Sequence, residues 1–231
     1  MIKTRNDKSI YVFIPACNEE RKIGEVIEGL GELDLNLKIH VIDDGSVDGT
    51  KKSARKAGAI VVGHPVNLGQ WAALRTGFAI SLMERADVMV SIDADGQHDP
   101  RDLQRLVEPI LNGEADIIIG SRFLNGDTPN MPKYRYAGIK VFNKLVEIMT
   151  RESLTDCLSG YKAYDMSMIR KIMPYLEENQ YGALEFLIKA LRHGAKVIEK
   201  PIEIKPNAKS QKGKLRYGYN LLRTVVAQYF G

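Results

Sequence analysis

Apolar residues gather in five short, nearly continuous runs along the first half of the chain: IYVFI at 10–14, KIHVI at 38–42, AIVVG at 59–63, DVMVSI at 87–92 and DIIIG at 116–120. Strands covered on both faces read as continuous rather than alternating apolar runs, so these predict buried, mostly parallel strands. Between them the period becomes helical. Ile23, Val26, Ile27 and Leu30 recur at i, i+3, i+4 and i+7, and Leu103, Leu106, Val107, Ile110 and Leu111 do likewise. Asp99 is placed to cap the latter helix with Pro100 at its first position, and Pro109 is expected to kink or end it. Asp48 or Thr50 can cap a helix running to Gly58, and another is expected from Gly69 to Glu84.

Strand alternating with helix predicts one doubly wound α/β domain. Ligands bind such sheets outside the carboxyl ends of the strands. The polar clusters fall there: ACNEE after the first strand, DDGSVDGT after the second, HPVNLG after the third, DADGQHD after the fourth and SRF after the fifth. Beyond Arg122 follow a loop LNGDTPNMPKY, a helix over about 135–149, the segment TDCLSGYKAY, a helix over 181–193 and a strand VIEKPIEI. The closing stretch KLRYGYNLLRTVVAQYF carries Leu215, Tyr219, Leu222, Val226 and Tyr229 on one helical stripe. No internal repeat or low-complexity tract interrupts the chain.

A chain of 231 residues, 44% hydrophobic, can bury the core of one such domain. The net charge of +4 is mild, but Lys205, Lys209, Lys212, Lys214, Arg216 and Arg223 follow one another with no acidic residue between Lys205 and Gly231. That asymmetry suggests an anionic partner. Cys17 and Cys157 belong to no C-x-x-C pair, so neither a disulfide framework nor a zinc site is signalled, and a reducing cytoplasm fits. With no signal-peptide pattern and no run of about 18 apolar residues, the chain is expected to be soluble or peripheral.

The stretch SIDADGQHDP, 91–100, places Asp93 and Asp95 one residue apart at a strand end. In extended backbone that spacing points both side chains the same way. A hard cation such as Mg²⁺ or Mn²⁺ takes such carboxylates together with substrate phosphates, which a nucleoside diphosphate supplies; Gln97 or His98 could support them. A calcium EF-hand is excluded, since the positions for its glycine and its final glutamate hold His98 and Gln104. Asp43 and Asp44 also end a strand, where paired carboxylates are costly unless they face water or bind something. They could accept from a base N–H or ribose hydroxyls, as could Glu19, which otherwise serves as a first-turn helix residue. The chain has no G-x-x-x-x-G-K-[ST], no dinucleotide fingerprint after a strand and no G-x-S-x-G, so kinase, dehydrogenase and α/β-hydrolase readings fall away.

The ordered set IPACNEE, VIDDGSVDGT, HPVNLG, DADGQHDP, GSRF, PKYRYAGIKVFNKL and TDCLSGYKAY resembles the family 2 glycosyltransferases. The branch it resembles is that of dolichol-phosphate mannose synthase and the polyprenyl-phosphate glycosyltransferases. The likeness spans roughly 10–205 and rests on the order of the motifs, since each alone is weak. It implies a GT-A fold, a Rossmann-like mostly parallel sheet in one domain. Within it a nucleotide-sugar half would cover about 8–120 and an acceptor half about 121–205, before a basic loop and helix over 206–231. It further implies an inverting, metal-dependent transfer of a hexose-type sugar from a GDP- or UDP-sugar to a dolichyl or polyprenyl phosphate.

By that resemblance Pro15, Glu19, Asp43 and Asp44, with Asn18, Asn67 and Ala94, would line the donor pocket. Asp93, Asp95 and Gln97 would hold Mg²⁺ or Mn²⁺ on its diphosphate. A phosphate acceptor needs cations rather than a base. Arg122, Lys133 and Arg135, with Ser159, are the candidates, and Asp95, Arg122 and Arg135 are expected to carry catalysis. Relatives carry an arginine-bearing loop where this chain has PNAKSQKGKL, which leaves Lys209 and Lys212 for that part. Work at the cytoplasmic face of a membrane, by peripheral contact or through an anchoring subunit, is expected; a nucleic-acid partner is not. Two alternatives remain: a transferase to a saccharide or protein hydroxyl, with Glu185 as its base, and a non-catalytic nucleotide-sugar-binding subunit.

Overall fold

The computed structural model describes residues 8–124, 131–176 and 182–205. The expected roles of Lys209 and Lys212 and the expected C-terminal helix lie outside these residues. Seven strands are formed among them: β1 Ile10–Ala16, β2 Leu37–Asp44, β3 Ile60–His64, β4 Val88–Ser91, β5 Ile117–Ser121, β6 Lys162–Asp165 and β7 Val197–Pro201. They make one sheet in the order β3-β2-β1-β4-β6-β5-β7. Every pairing is parallel except those of β6, which runs antiparallel to β4 and β5.

The helices are α1 Ile23–Gly31, α2 Thr50–Lys56, α3 Gln70–Met83, α4 Leu103–Leu111, α5 Lys133–Thr150, α6 Met166–Ile172 and α7 Gly182–Arg192. Side chains alternate across a strand, and both faces here are covered. Tyr11, Phe13, Met89, Ile117 and Ile119 enter one core with residues of α3, α5, α6 and α7. Val12, Ile14, Val88, Val90 and Ile118 enter the other with residues of α1, α2 and α4. Two covered faces are why these strands are apolar throughout. The i, i+3, i+4, i+7 set of α1 is buried as its spacing predicts, with Ile23 and Leu30 at 0% exposure.

The Asp99 carboxylate accepts from Arg101 N at 3.0 Å, but the turn it opens, Pro100–Asp102, is a 3-10 turn that leads into α4. Pro109 lies inside α4, which runs on to Leu111. The helix foreseen from Arg135 starts at Lys133.

Two elements have no counterpart in the sequence reading, β6 and α6. The segment KAYD of β6 carries a charge at each end and is four residues long, too short for any period. It is a strand because its neighbours on both sides supply ladder partners, and because Ala163 and Tyr164 enter opposite cores. The short α6 follows at once, its N-terminus capped by Asp165, which accepts from Ser167 N at 2.8 Å.

Candidate active site at the carboxyl edge of the sheet

The loops after β1, β2, β3 and β4 meet at one edge of the sheet. Asn18 joins the first two: its N donates to Ser46 Oγ at 2.9 Å and its Oδ1 accepts from Val47 N at 3.0 Å. Its φ of 58° is left-handed, a conformation asparagine tolerates better than most residues. Thr50 accepts from Glu19 N at 2.8 Å, tying the start of α2 to the same loop.

Asp43 and Asp44 point to opposite faces of β2 and do different work. Asp44 accepts from Leu68 N at 2.9 Å, from Gly69 N at 2.7 Å and from His64 Nδ1 at 2.8 Å. Its carboxylate therefore builds the HPVNLG loop, a task the sequence reading did not assign to it. Asp43 is 0% exposed; one oxygen takes Ser46 N at 3.2 Å and Lys51 Nζ at 3.3 Å. Its Oδ1 is buried with no partner among the described residues. An orphaned buried acceptor is costly.

These loops enclose a cavity of about 420 Å³ lined by Pro15, Ala16, Cys17, Glu19, Asp44, Asn67, Gly69, Gln70, Ala73, Asp93, Ala94 and Asp95. Four of these are acidic and none is Lys or Arg. The expected donor residues Pro15, Glu19, Asp44, Asn67, Asp93, Ala94 and Asp95 are thus brought together. Asn18 and Asp43 support the wall from behind.

Asp93 accepts from Gln70 Nε2 at 3.0 Å and faces His98 Nε2 at 3.3 Å. A carboxylate only accepts, so His98 donates through Nε2. Burial works against ionisation of Asp93, but the His98 hydrogen bond and the charges of His98, Arg122 and Lys162 outweigh it, and its carboxyl lies below the ordinary value. Asp95 is moved the other way. Burial raises it foremost and the Asp93 charge adds to that, against the Gln97 N–H at 3.0 Å and the charges of His98 and Arg135. Two acidic side chains in one cavity, one of them held reluctant to ionise, form a donor set that suits a hard divalent cation.

Gln97 and His98 do not line this cavity. Gln97 contributes backbone, its N to Asp95 and its O to Lys205 N at 2.9 Å. His98 is 5% exposed and orients Asp93 from behind, as the partners of metal-binding carboxylates do. Among the described residues no group of three His, Cys, Asp or Glu side chains gathers as a cation site by itself. Two carboxylates completed by substrate oxygens are the arrangement the lining allows.

The expected acceptor cations fare differently. Arg122 is 8% exposed and forked on Asp156, Nε to Oδ2 at 2.6 Å and Nη2 to Oδ1 at 2.7 Å. Burial opposes its charge, yet that bidentate partner raises its pKa. That fork fixes the guanidinium in place at the end of β5. Arg135 lies in the first turn of α5 and its charge reaches Asp95. Lys133 opens the same helix and is exposed. Glu185, the candidate base, is 0% exposed and holds Lys189 Nζ at 2.7 Å, so it is not available to a hydroxyl.

Ser159 is 3% exposed and lines a second cavity of about 330 Å³ beside the first. The two share Pro15, Asn67, Gly69 and Gln70. Gly160 lets the Cys157–Tyr161 loop pass against Asp93 at this seam, because a Cβ there would collide with the Asp93 carboxylate. The motif TDCLSGYKAY pointed to this loop without disclosing that Lys162, at its end, is a cavity-lining cation. Gln70, next to HPVNLG, carried no signal of its own.

The model of glycosyl transferase family 2 matches residues 11–173. This chain belongs to that family. A protein of uncharacterised function from Methanocaldococcus jannaschii is 37% identical over 200 residues, 86% of this chain and 82% of that one. The UDP-N-acetylglucosamine–dolichyl-phosphate N-acetylglucosaminyltransferase of Methanococcus voltae is 30% identical over 216 residues, 85% of this chain and 86% of that one. The fold also matches glucosyl-3-phosphoglycerate synthase of Mycobacterium tuberculosis, solved with Mn²⁺, UDP-glucose and phosphoglyceric acid. The TM-score is 0.74 at 21% identity, over 95% of this chain and 79% of that one. The GT-A expectation holds, and glycosyl transfer is the chemistry of the family.

Proposed function

We propose that this family 2 glycosyltransferase moves a hexose-type sugar from a GDP- or UDP-sugar to a dolichyl or polyprenyl phosphate, at the cytoplasmic surface of a membrane. The observation that carries the reading is the acidic cavity at the strand ends, where Asp93 and Asp95 lie together among Glu19, Asp44 and Asn67. Relatives named for transfer to dolichyl phosphate support the acceptor. So does the engagement of Glu185 with Lys189, which leaves the runner-up, transfer to a hydroxyl, without its nominated base.

Pro15, Glu19 and Asn67 line the part of the cavity assigned to the nucleoside, with Asp43 and Asp44 holding its wall. Asp93 and Asp95 would hold Mg²⁺ or Mn²⁺. When bound, such a cation neutralises charge on the leaving nucleoside diphosphate. His98 and Gln70 fix the rotamer of Asp93, so the carboxylate meets the donor pre-oriented. Arg135 sets the local charge near Asp95. An acceptor phosphate is largely ionised near neutral pH, so no protein group has to remove a proton.

The test is a panel of labelled GDP- and UDP-sugars offered with polyprenyl phosphate and Mg²⁺ or Mn²⁺. Label passes into organic-extractable lipid with at least one donor, and Asp95→Asn stops it. Absence of lipid-linked product with every donor sinks the reading.

A further inference from the structure

Asp93 and Asp95 follow β4 without belonging to it. From Ile92 to Asp99 the chain forms neither helix nor ladder strand, and it turns at Gly96 with a left-handed φ of 72°. A carboxylate carried on such a loop meets a cation in one geometry only if the loop's backbone is fixed from elsewhere. Within the loop, Gln97 N donates to Asp95 at 3.0 Å and His98 Nε2 to Asp93 at 3.3 Å, so these two neighbours each hold one carboxylate.

His98 has little to hold it in turn. Its ring lies 5.3 Å from that of Tyr161, and its Nδ1 is buried with no hydrogen-bond partner among the described residues. A histidine behind a binding site is ordinarily oriented through its second ring nitrogen. Without that bond, the ring is set by where its backbone stands.

The backbone of Gln97 and His98 is held by the segment just beyond β7. Ile204 pairs with His98 in an antiparallel bridge, and Lys205 N donates to Gln97 O at 2.9 Å. The segment is anchored at its start. Arg105 Nη1 donates to Pro201 O at 2.8 Å, Ile202 N donates to Ser121 O at 3.0 Å, and the Ile202 side chain is buried. It packs on Gly120, where an added Cβ would stand 2.9 Å from Ile202 Cγ2. The local sequence favours this extended course, since Ile204 is β-branched and Lys205 precedes a proline.

We infer that residues 202–205 are a strap that positions the cation-binding carboxylates, acting through the backbone of Gln97 and His98. The inference rests on the reading of Asp93 and Asp95 as ligands of a divalent cation. It adds Ile204 and Lys205 to that site as positioning residues. The Lys205 side chain is exposed, and its part is played by its amide.

Lys205→Pro deletes the donor to Gln97 O while asking of Ile204 the extended backbone it already has. Lys205→Ala keeps the amide and removes only the side chain. The probes are UDP and GDP, titrated calorimetrically into each protein with and without Mn²⁺. In the wild type Mn²⁺ tightens the binding of at least one of them. Lys205→Pro diminishes that gain roughly tenfold or more, the loss typical of an outer partner of a metal ligand, and Lys205→Ala retains it. Ile204→Gly, which loosens the bridge without removing a donor, moves it the same way by less. Nucleotide binding without metal is unchanged in all three, a readout that general loosening of the fold would move. Because the strap acts in part through His98, Lys205→Pro costs less when added to His98→Ala than it does alone.

A full Mn²⁺ gain in Lys205→Pro overturns the inference, as does an equal loss in Lys205→Ala. Metal-free binding that falls in parallel assigns the effect to the whole fold and overturns it too. If Mn²⁺ tightens neither nucleotide in the wild type, the cation part of the proposed function fails. Hydrogen exchange across Asp95–His98 then decides the strap, which stands if Lys205→Pro accelerates exchange there and falls if exchange is unchanged.

Discussion

Arg122 and Asp156 form a closed bidentate pair beneath the active-site loops, with 7% and 0% of their side chains exposed. The pair joins the end of β5 to the TDCLSG loop and is braced from β7 by Glu199. Breaking a buried pair from one side strands a charge, which costs about 3–5 kcal/mol. Asp156→Asn should therefore lower unfolding free energy by an amount in that range in urea titration. Arg122→Met combined with Asp156→Leu should cost clearly less than the single Asp156→Asn change. A double variant as unstable as the single one would show that the pair is not the source of the loss.

His98 acts on Asp93 from behind the cavity wall. Removal of such an outer partner typically weakens cation binding roughly 10–100-fold. His98→Ala should shift the Mn²⁺ concentration for half-maximal activity by that factor and leave kcat at saturating Mn²⁺ near the wild-type value. Asp95→Asn should not be rescued by any Mn²⁺ concentration. Chelation should abolish wild-type activity, and readded Mg²⁺ or Mn²⁺ should restore it.

Burial lowers the pKa of Lys162 from the ordinary lysine value of 10.5, with the Arg122 charge adding to that and Cys157, Asp156 and Asp93 opposing it. The sign of the resulting pH dependence follows. Between the lowered folded value and the unfolded one, the unfolded chain binds more protons, so the wild-type protein gains stability as pH rises through that window. Lys162→Met removes the buried charge at every pH. It should raise the thermal midpoint at neutral pH, and its advantage should shrink as pH climbs toward 10.5. Equal pH slopes for the two proteins, measured by calorimetry, would contradict this.

Gly160→Ala places a methyl group against the Asp93 carboxylate at the seam between the cavities. Overpacking of this kind costs roughly 1–3 kcal/mol. The relief available is movement of Asp93 away from Gln70 and His98. The expected result is a folded protein with a weakened Mn²⁺ requirement curve and reduced kcat, read from far-UV circular dichroism and a metal titration. Full activity at wild-type Mn²⁺ levels would show that the loop yields instead.

Much of this protein was legible in its residue order, for local reasons. Continuous apolar runs report strands covered on both faces, and Asp93 and Asp95 announce themselves by following one of them, although β4 ends at Ser91 and Asp95 lies in a turn rather than in the extended backbone expected. The family resemblance, read from seven ordered motifs, places Glu19, Asn67 and Asp95 at one cavity. What lay beyond sequence were the partners a side chain finds across the fold. Asp44 and Arg122 look like free charges at strand ends, yet one is bound by Leu68 and Gly69 amides and the other by Asp156, 34 positions away. The strand β6 has too few residues for a period and exists because β4 and β5 pair with it on both sides. Insertion between them is what buries Lys162. Charge is written in the chain, but whether a charge is neutralised or left waiting for a ligand depends on long-range pairing, which only tertiary structure decides.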